Sequence, residues 1–78
     1  MNEAKTQEQR AVAMTSLHPP TNPHLLRRWR DEAKDEDLQK LITSWMQYLD
    51  GKIKAFDYAK EYDSVHLKVK TGFYKKGC

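Results

Sequence analysis

Asp35-Glu-Asp-Leu-Gln-Lys-Leu-Ile-Thr-Ser-Trp-Met-Gln-Tyr-Leu-Asp-Gly51 reads as one amphipathic helix with a start, an apolar stripe and a stop. Leu38, Leu41, Ile42, Trp45, Met46 and Leu49 fall at i, i+3, i+4, i+7, i+8 and i+11, which gathers six large apolar side chains on one face of a 3.6-residue helix. Asp35, Glu36 and Asp37 put negative charge where the first turn leaves its N–H groups unpaired, with Asp35 or Asp37 as N-cap. Gly51 after Asp50 suits the left-handed position that ends many helices. With Tyr48 added, the apolar arc is wider than one packing partner covers in so small a domain. A second neighbour is therefore expected, either the C-terminal segment folded back or another protein.

Upstream, Asn22-Pro23 is a strong helix start, because Asn caps well and proline's missing N–H would be unpaired at the first helical position. A helix is predicted from Pro23 to Lys34, with Leu25, Leu26, Trp29 and Ala33 facing the central helix. Pro19, Pro20 and Pro23 argue against helix across residues 16–23. Residues 1–21 are polar apart from Ala-Val-Ala-Met at 11–14 and are expected to form a disordered tail with at most a frayed helix.

Downstream, Ile53, Phe56, Ala59 and Tyr62 recur about every three residues and predict a third helix over Lys52 to Tyr62. Val65, Leu67 and Val69 then alternate with His66, Lys68 and Lys70, the two-residue period of a half-exposed strand. A lone strand needs a partner, from a second copy, a target protein or the N-terminal tail. The competing reading makes Ser64 an N-cap and residues 65–71 a short helix stopped by Gly72; the extended form is preferred. The expected fold is mainly α: a three-helix domain over residues 22–64 with a basic extended C-terminus over residues 65–78. Its core would hold Leu25, Trp29, Leu38, Leu41, Ile42, Trp45, Leu49 and Phe56.

Seventy-eight residues, 38% hydrophobic and 32% charged, supply one small core and too little apolar material for an enclosed active-site cavity. A binding protein is favoured over an enzyme. The net charge of +3 is unevenly spread: residues 1–64 carry ten Lys/Arg against eleven Asp/Glu, net −1, whereas residues 65–78 carry four lysines and no acid, net +4. That imbalance favours polyanions or an acidic protein surface as partners. The single cysteine, Cys78, allows no intrachain disulfide. The N-terminus lacks an apolar signal region and no run approaches the ~18 apolar residues of a membrane span, so a cytoplasmic protein without membrane contact is expected.

Ile53 to Tyr74 resembles the DNA-binding helix-turn-helix family. Ala59 fits the small residue that lets two helices cross closely, Asp63 the turn position and Val69 the apolar anchor of the second helix, with Tyr58 and Tyr62 flanking. Asp63 stands where glycine is usual, Ser64 where an apolar residue should follow, and Gly72 where a further anchor belongs. The resemblance implies a nucleic-acid-associated regulatory protein in which Ser64, His66, Lys68, Lys70 and Thr71 face the groove or the phosphates. A looser reading uses the lysines, including Lys75 and Lys76, for the backbone and Phe73 and Tyr74 for unpaired bases. Arg27, Arg28 and Arg30 form a second cationic cluster, followed at once by acids that can pair with it.

The alternative is a protein-interaction module, a small inhibitor or adaptor that docks on a larger enzyme by helix-in-groove contact or strand addition. Trp29, Met46, Tyr48, Val65, Leu67 and Val69 would then meet the partner, and a homodimer is a further option. No catalytic residues are identified, since the three glycines form no phosphate-cradling loop and no Ser or Cys sits in an activated context. Neither metal nor cofactor is expected, because His18, His24, His66 and Cys78 match no closed ligand spacing.

Overall fold

In the computed structural model, which describes residues 6–75, the central helix forms where its pattern predicts, at Glu36–Leu49. Asp35 is its N-cap and accepts a hydrogen bond from the Leu38 N–H at 3.3 Å. At its end Gly51 takes φ +77°. The Gly51 N–H donates to Tyr48 O at 3.0 Å and the Lys52 N–H to Gln47 O at 2.9 Å, which satisfies carbonyls the last turn leaves open. The helix before it, Pro23–Glu32, starts on Asn22, whose side chain accepts from His24 N and Leu25 N.

Two segments depart from expectation. The N-terminal region holds a further helix, Gln7–Met14, opened by a capping box in which Thr6 and Gln9 each accept from the other's backbone N–H. With α1 at Gln7–Met14, the remaining α-helices are α2 (Pro23–Glu32), α3 (Glu36–Leu49) and α4 (Ala55–Lys70), so the described residues form four α-helices rather than three. α1 is bound to the body: Ala11 and Met14 are buried, Arg10 pairs with Glu32 at 2.6 Å, and the buried Gln7 side chain accepts from Lys34 N and Asp35 N at 2.9 and 3.2 Å. Gln7 thus occupies the backbone donors that the tight α2–α3 link leaves without helical partners.

The second departure is at the C-terminus. Residues 55–70 are one unbroken helix, so Val65 to Val69 is not a strand, Ser64 is not an N-cap, and the turn that a helix-turn-helix requires at Asp63 does not form. Val65 is fully buried and Val69 half-buried, and with Tyr58 and Tyr62 they make a stripe of period 3.6 facing the core. Gly72, at φ +77°, ends α4 and turns the chain into a 3₁₀ segment, Phe73–Lys75, which folds back onto α1 and α4.

α3 lies between α2 and α4, with α1 laid across α4 and α3. Leu26, Trp29, Leu38, Leu41, Ile42, Trp45 and Val65 form the centre of the core, joined by Ala11 and Met14 from α1 and Tyr74 from the C-terminal turn. Each large buried aliphatic side chain contributes about 1.5–3 kcal/mol. Leu49, 41% exposed, and Phe56, 80% exposed, are not core residues, and Leu26 rather than Leu25 is the fully buried leucine of α2. No described helix is long and apolar enough to cross a membrane.

Candidate functional site

Residues 15–22 cannot continue α1 because of their prolines, yet they are held at both ends. Tyr62 donates its hydroxyl to Thr15 O at 2.7 Å and Trp45 donates its indole N–H to Pro20 O at 2.8 Å. Between these two anchors the chain stands away from the first turns of α4 and leaves an open groove of about 510 Å³, lined by Met14, Leu17, Pro19, Trp45, Phe56, Tyr58, Ala59 and neighbours. Leu17 is 94% exposed and Phe56 80% exposed, so two large apolar side chains stand in solvent at its edge. Two of its lining rings, Trp45 and Tyr58, meet edge-on at 5.5 Å between centroids, and Tyr48, outside the lining, stacks on Trp45 at 5.4 Å and meets Tyr58 edge-on at 5.2 Å. Burial, with the neighbouring Tyr48 and Tyr62, pushes the Tyr58 hydroxyl above the usual tyrosine value.

A second constellation ties the end of α4 and the C-terminal turn to the start of α3 around Asp35. Lys68 places its ammonium 2.8 Å from Asp35 Oδ1 and 2.8 Å from Asp37 Oδ2, and Tyr74 donates its hydroxyl to Asp35 Oδ2 at 2.7 Å. The same ammonium lies 4.7 Å from the centre of the Phe73 ring. Partial burial pushes the Asp35 carboxyl up, but the hydrogen bonds from Lys68 and Tyr74, the Lys68 charge and the Leu38 N–H outweigh it and hold it below the usual range. Burial likewise pushes Lys68 down, and the two carboxylates outweigh that and raise it. The cluster is a structural clasp closed over the N-terminus of α3.

Of the residues expected to meet nucleic acid, Lys68 and Tyr74 belong to this clasp, with Tyr74 only 4% exposed. Phe73 packs edge-on against Tyr74, and the Thr71 hydroxyl donates to Leu67 O at 3.0 Å. Ser64, His66 and Lys70 are exposed on α4, where His66 stacks on Tyr62. The Lys75 side chain and Lys76 lie outside the described residues. Arg27 and Arg28 are exposed on α2, while Arg30 is half-buried and 3.5 Å from Asp31. These arginines lie on a different helix from the cations of α4, and α2 and α4 each pack against α3. Of the residues expected to meet a protein, Trp29 and Val65 are buried in the core, Met46 and Val69 are half-buried against it, and Tyr48 and Leu67 are exposed. Leu17 and Phe56 are not among the candidates the sequence offers, Leu17 falling in the expected tail and Phe56 in the expected core.

The fold and its surfaces define a small four-helix domain with an aromatic-floored apolar groove. Comparison with family models, with curated proteins and with solved structures gives no match.

Proposed function

We propose that the chain is a protein-interaction module, a small inhibitor or adaptor whose groove receives the apolar face of a helix from another protein chain. The observation that carries this reading is the exposure of Leu17 and Phe56 beside a floor of interlocked aromatic rings. Large apolar side chains held in water next to a preformed apolar hollow mark interaction sites. The mode is helix-in-groove because the described residues include no strand and offer no sheet edge to extend. A photo-crosslinking residue at position 17 tests it, with the linked peptide mapped by mass spectrometry. The expected adduct is a protein segment with apolar residues at i, i+3 or i+4, and i+7, and the matching synthetic peptide should compete for the groove. Crosslinks to nucleic acid alone, or to extended segments without that spacing, refute the reading.

Nucleic-acid association is the second reading, supported by the exposed His66 and Lys70 on the last turns of α4 shortly before Lys75 and Lys76. It predicts binding that falls steeply with salt and weakens when Lys70, Lys75 and Lys76 are replaced together. No binding at low salt ends it.

A further inference from the structure

The outward side of α4 carries Phe56, Lys60, Asp63 and Leu67 at i, i+4, i+7 and i+11, a spacing that sets them in one line along the helix. All four are exposed, Phe56 by 80% and Leu67 by 62%. The line reads apolar, basic, acidic, apolar, and it is its own complement when reversed. About a two-fold axis passing between Glu61 and Tyr62, an antiparallel second copy sets each Phe56 against the other copy's Leu67 and each Lys60 against the other copy's Asp63. We infer that the chain associates with itself through this face, forming an isologous α4–α4 dimer.

Charge fixes both orientation and register. A parallel pairing sets Lys60 against Lys60 and Asp63 against Asp63. Sliding the antiparallel pair by three residues in one direction puts the two Lys60 side chains opposite each other, and sliding it three the other way does the same to the two Asp63 side chains. Like charges facing across helices disfavour all three alternatives. In the favoured register two apolar contacts about 16 Å apart flank a pair of ion pairs. A C2 interface needs knob and socket on the same patch, and this line supplies both.

The expected strength follows from size. A tenth of the chain's 5474 Å² of accessible surface is about 550 Å² per copy, so the dimer sits at the small end of specific interfaces. A weak, reversible association with a Kd on the order of 10 μM is expected. The line shares Phe56 with the edge of the groove, while Lys60, Asp63 and Leu67 lie outside its lining, so the charge register and the Leu67 contact are tested apart from what fills the groove.

Sedimentation equilibrium of the full chain, from micromolar to millimolar, tests it with three variants at exposed positions whose thermal melts serve as fold controls. Leu67→Glu should weaken the dimer about 30-fold, because the symmetry removes both flanking apolar contacts at once and sets a carboxylate against each Phe56. Lys60→Asp should weaken it about 10-fold by setting carboxylate against carboxylate at two symmetric places. The double swap Lys60→Asp/Asp63→Lys should restore parental association, since it reverses both pairs and keeps the pattern. A parent that stays monomeric at millimolar concentration, a dimer that survives Leu67→Glu, or a double swap as weak as the single change each overturns the inference. Crosslinking at position 17 is read separately, so a monomeric parent that still gives a helical adduct sinks the dimer alone.

Discussion

Replacing Asp35 with alanine probes the clasp at its centre, and the structure sets the size of the effect. Loss of the N-cap bond to Leu38 N costs about 1 kcal/mol. The Tyr74 hydroxyl, buried with its ring, loses its acceptor, which costs about 1–3 kcal/mol more. Lys68 keeps Asp37 and contributes little to the loss. Asp35→Ala should therefore destabilise by about 2–4 kcal/mol, a large fraction of the net stability of a domain this size. Tyr74→Phe alone should cost about 1–2 kcal/mol, since it removes a bond to a charged acceptor but strands no buried donor. In the Asp35→Ala background the same change should instead regain about 1–3 kcal/mol, because it removes the buried hydroxyl that has lost its acceptor. The resulting coupling of at least about 2 kcal/mol is measurable by urea denaturation followed by far-UV circular dichroism on the two single variants and the double. Additive effects, or an Asp35→Ala variant within about 0.5 kcal/mol of the parent, would refute the clasp.

The same cluster predicts the pH dependence of stability. Asp35 titrates lower in the folded chain than in the unfolded one, so its contribution is complete above the unfolded value of about 3.9 and is lost as pH falls through the lowered folded value. Lys68 is raised, so its contribution is complete below about 10.4 and is lost as pH rises through the folded value. Denaturation midpoints measured across the acid range should fall less steeply in Asp35→Asn than in the parent. Trp45→Ala removes the stacked ring and the donor to Pro20 O and should cost about 3–5 kcal/mol, enough to abolish a cooperative melt; a melt close to the parent's would show that Trp45 is not structural. Gly51→Ala meets no atom within 4 Å, so its cost is backbone strain alone at φ +77°, about 1 kcal/mol, readable as a lowered midpoint with an unchanged denaturant slope.

How much of this architecture is legible depends on where each element's stabilisation comes from. α2 and α3 are readable because their caps are local: Asn22, Asp35 and Gly51 act within a few residues of themselves. α1 has an equally local start, the Thr6–Gln9 capping box, but its tertiary anchor is a polar side chain. Gln7 is buried only because the α2–α3 link leaves two N–H groups for it to satisfy, and that need is invisible from residues 1–21 alone. In α4 the alternation of Val65, Leu67 and Val69 imitates a strand because Leu67 is an exposed apolar residue on a helix. Reading Tyr58, Tyr62, Val65 and Val69 together recovers the helical period, and the polar residues between them obscure it. Phe56 was assigned to the core on hydrophobicity, although its place on α4 points it away from the stripe that packs inward.

The charge imbalance that first suggested a polyanion partner is partly an internal matter. Among the described lysines of residues 65–78, Lys68 is shared between Asp35 and Asp37, carboxylates that lie more than thirty residues away in sequence. Counting it as surface charge overstates the field that an incoming phosphate would meet. The breadth of α3's apolar arc asked for a second neighbour, and the fold supplies several: α4 along its length, the 15–22 segment at Trp45, and the clasp at its N-terminus. Leu17, Phe56 and Leu67 remain in solvent, and no need of the folded monomer accounts for them. For a chain with so little apolar material to spend on its core, that surplus is the strongest reason to place the function at protein contacts: the groove beside Leu17 and the outer line of α4.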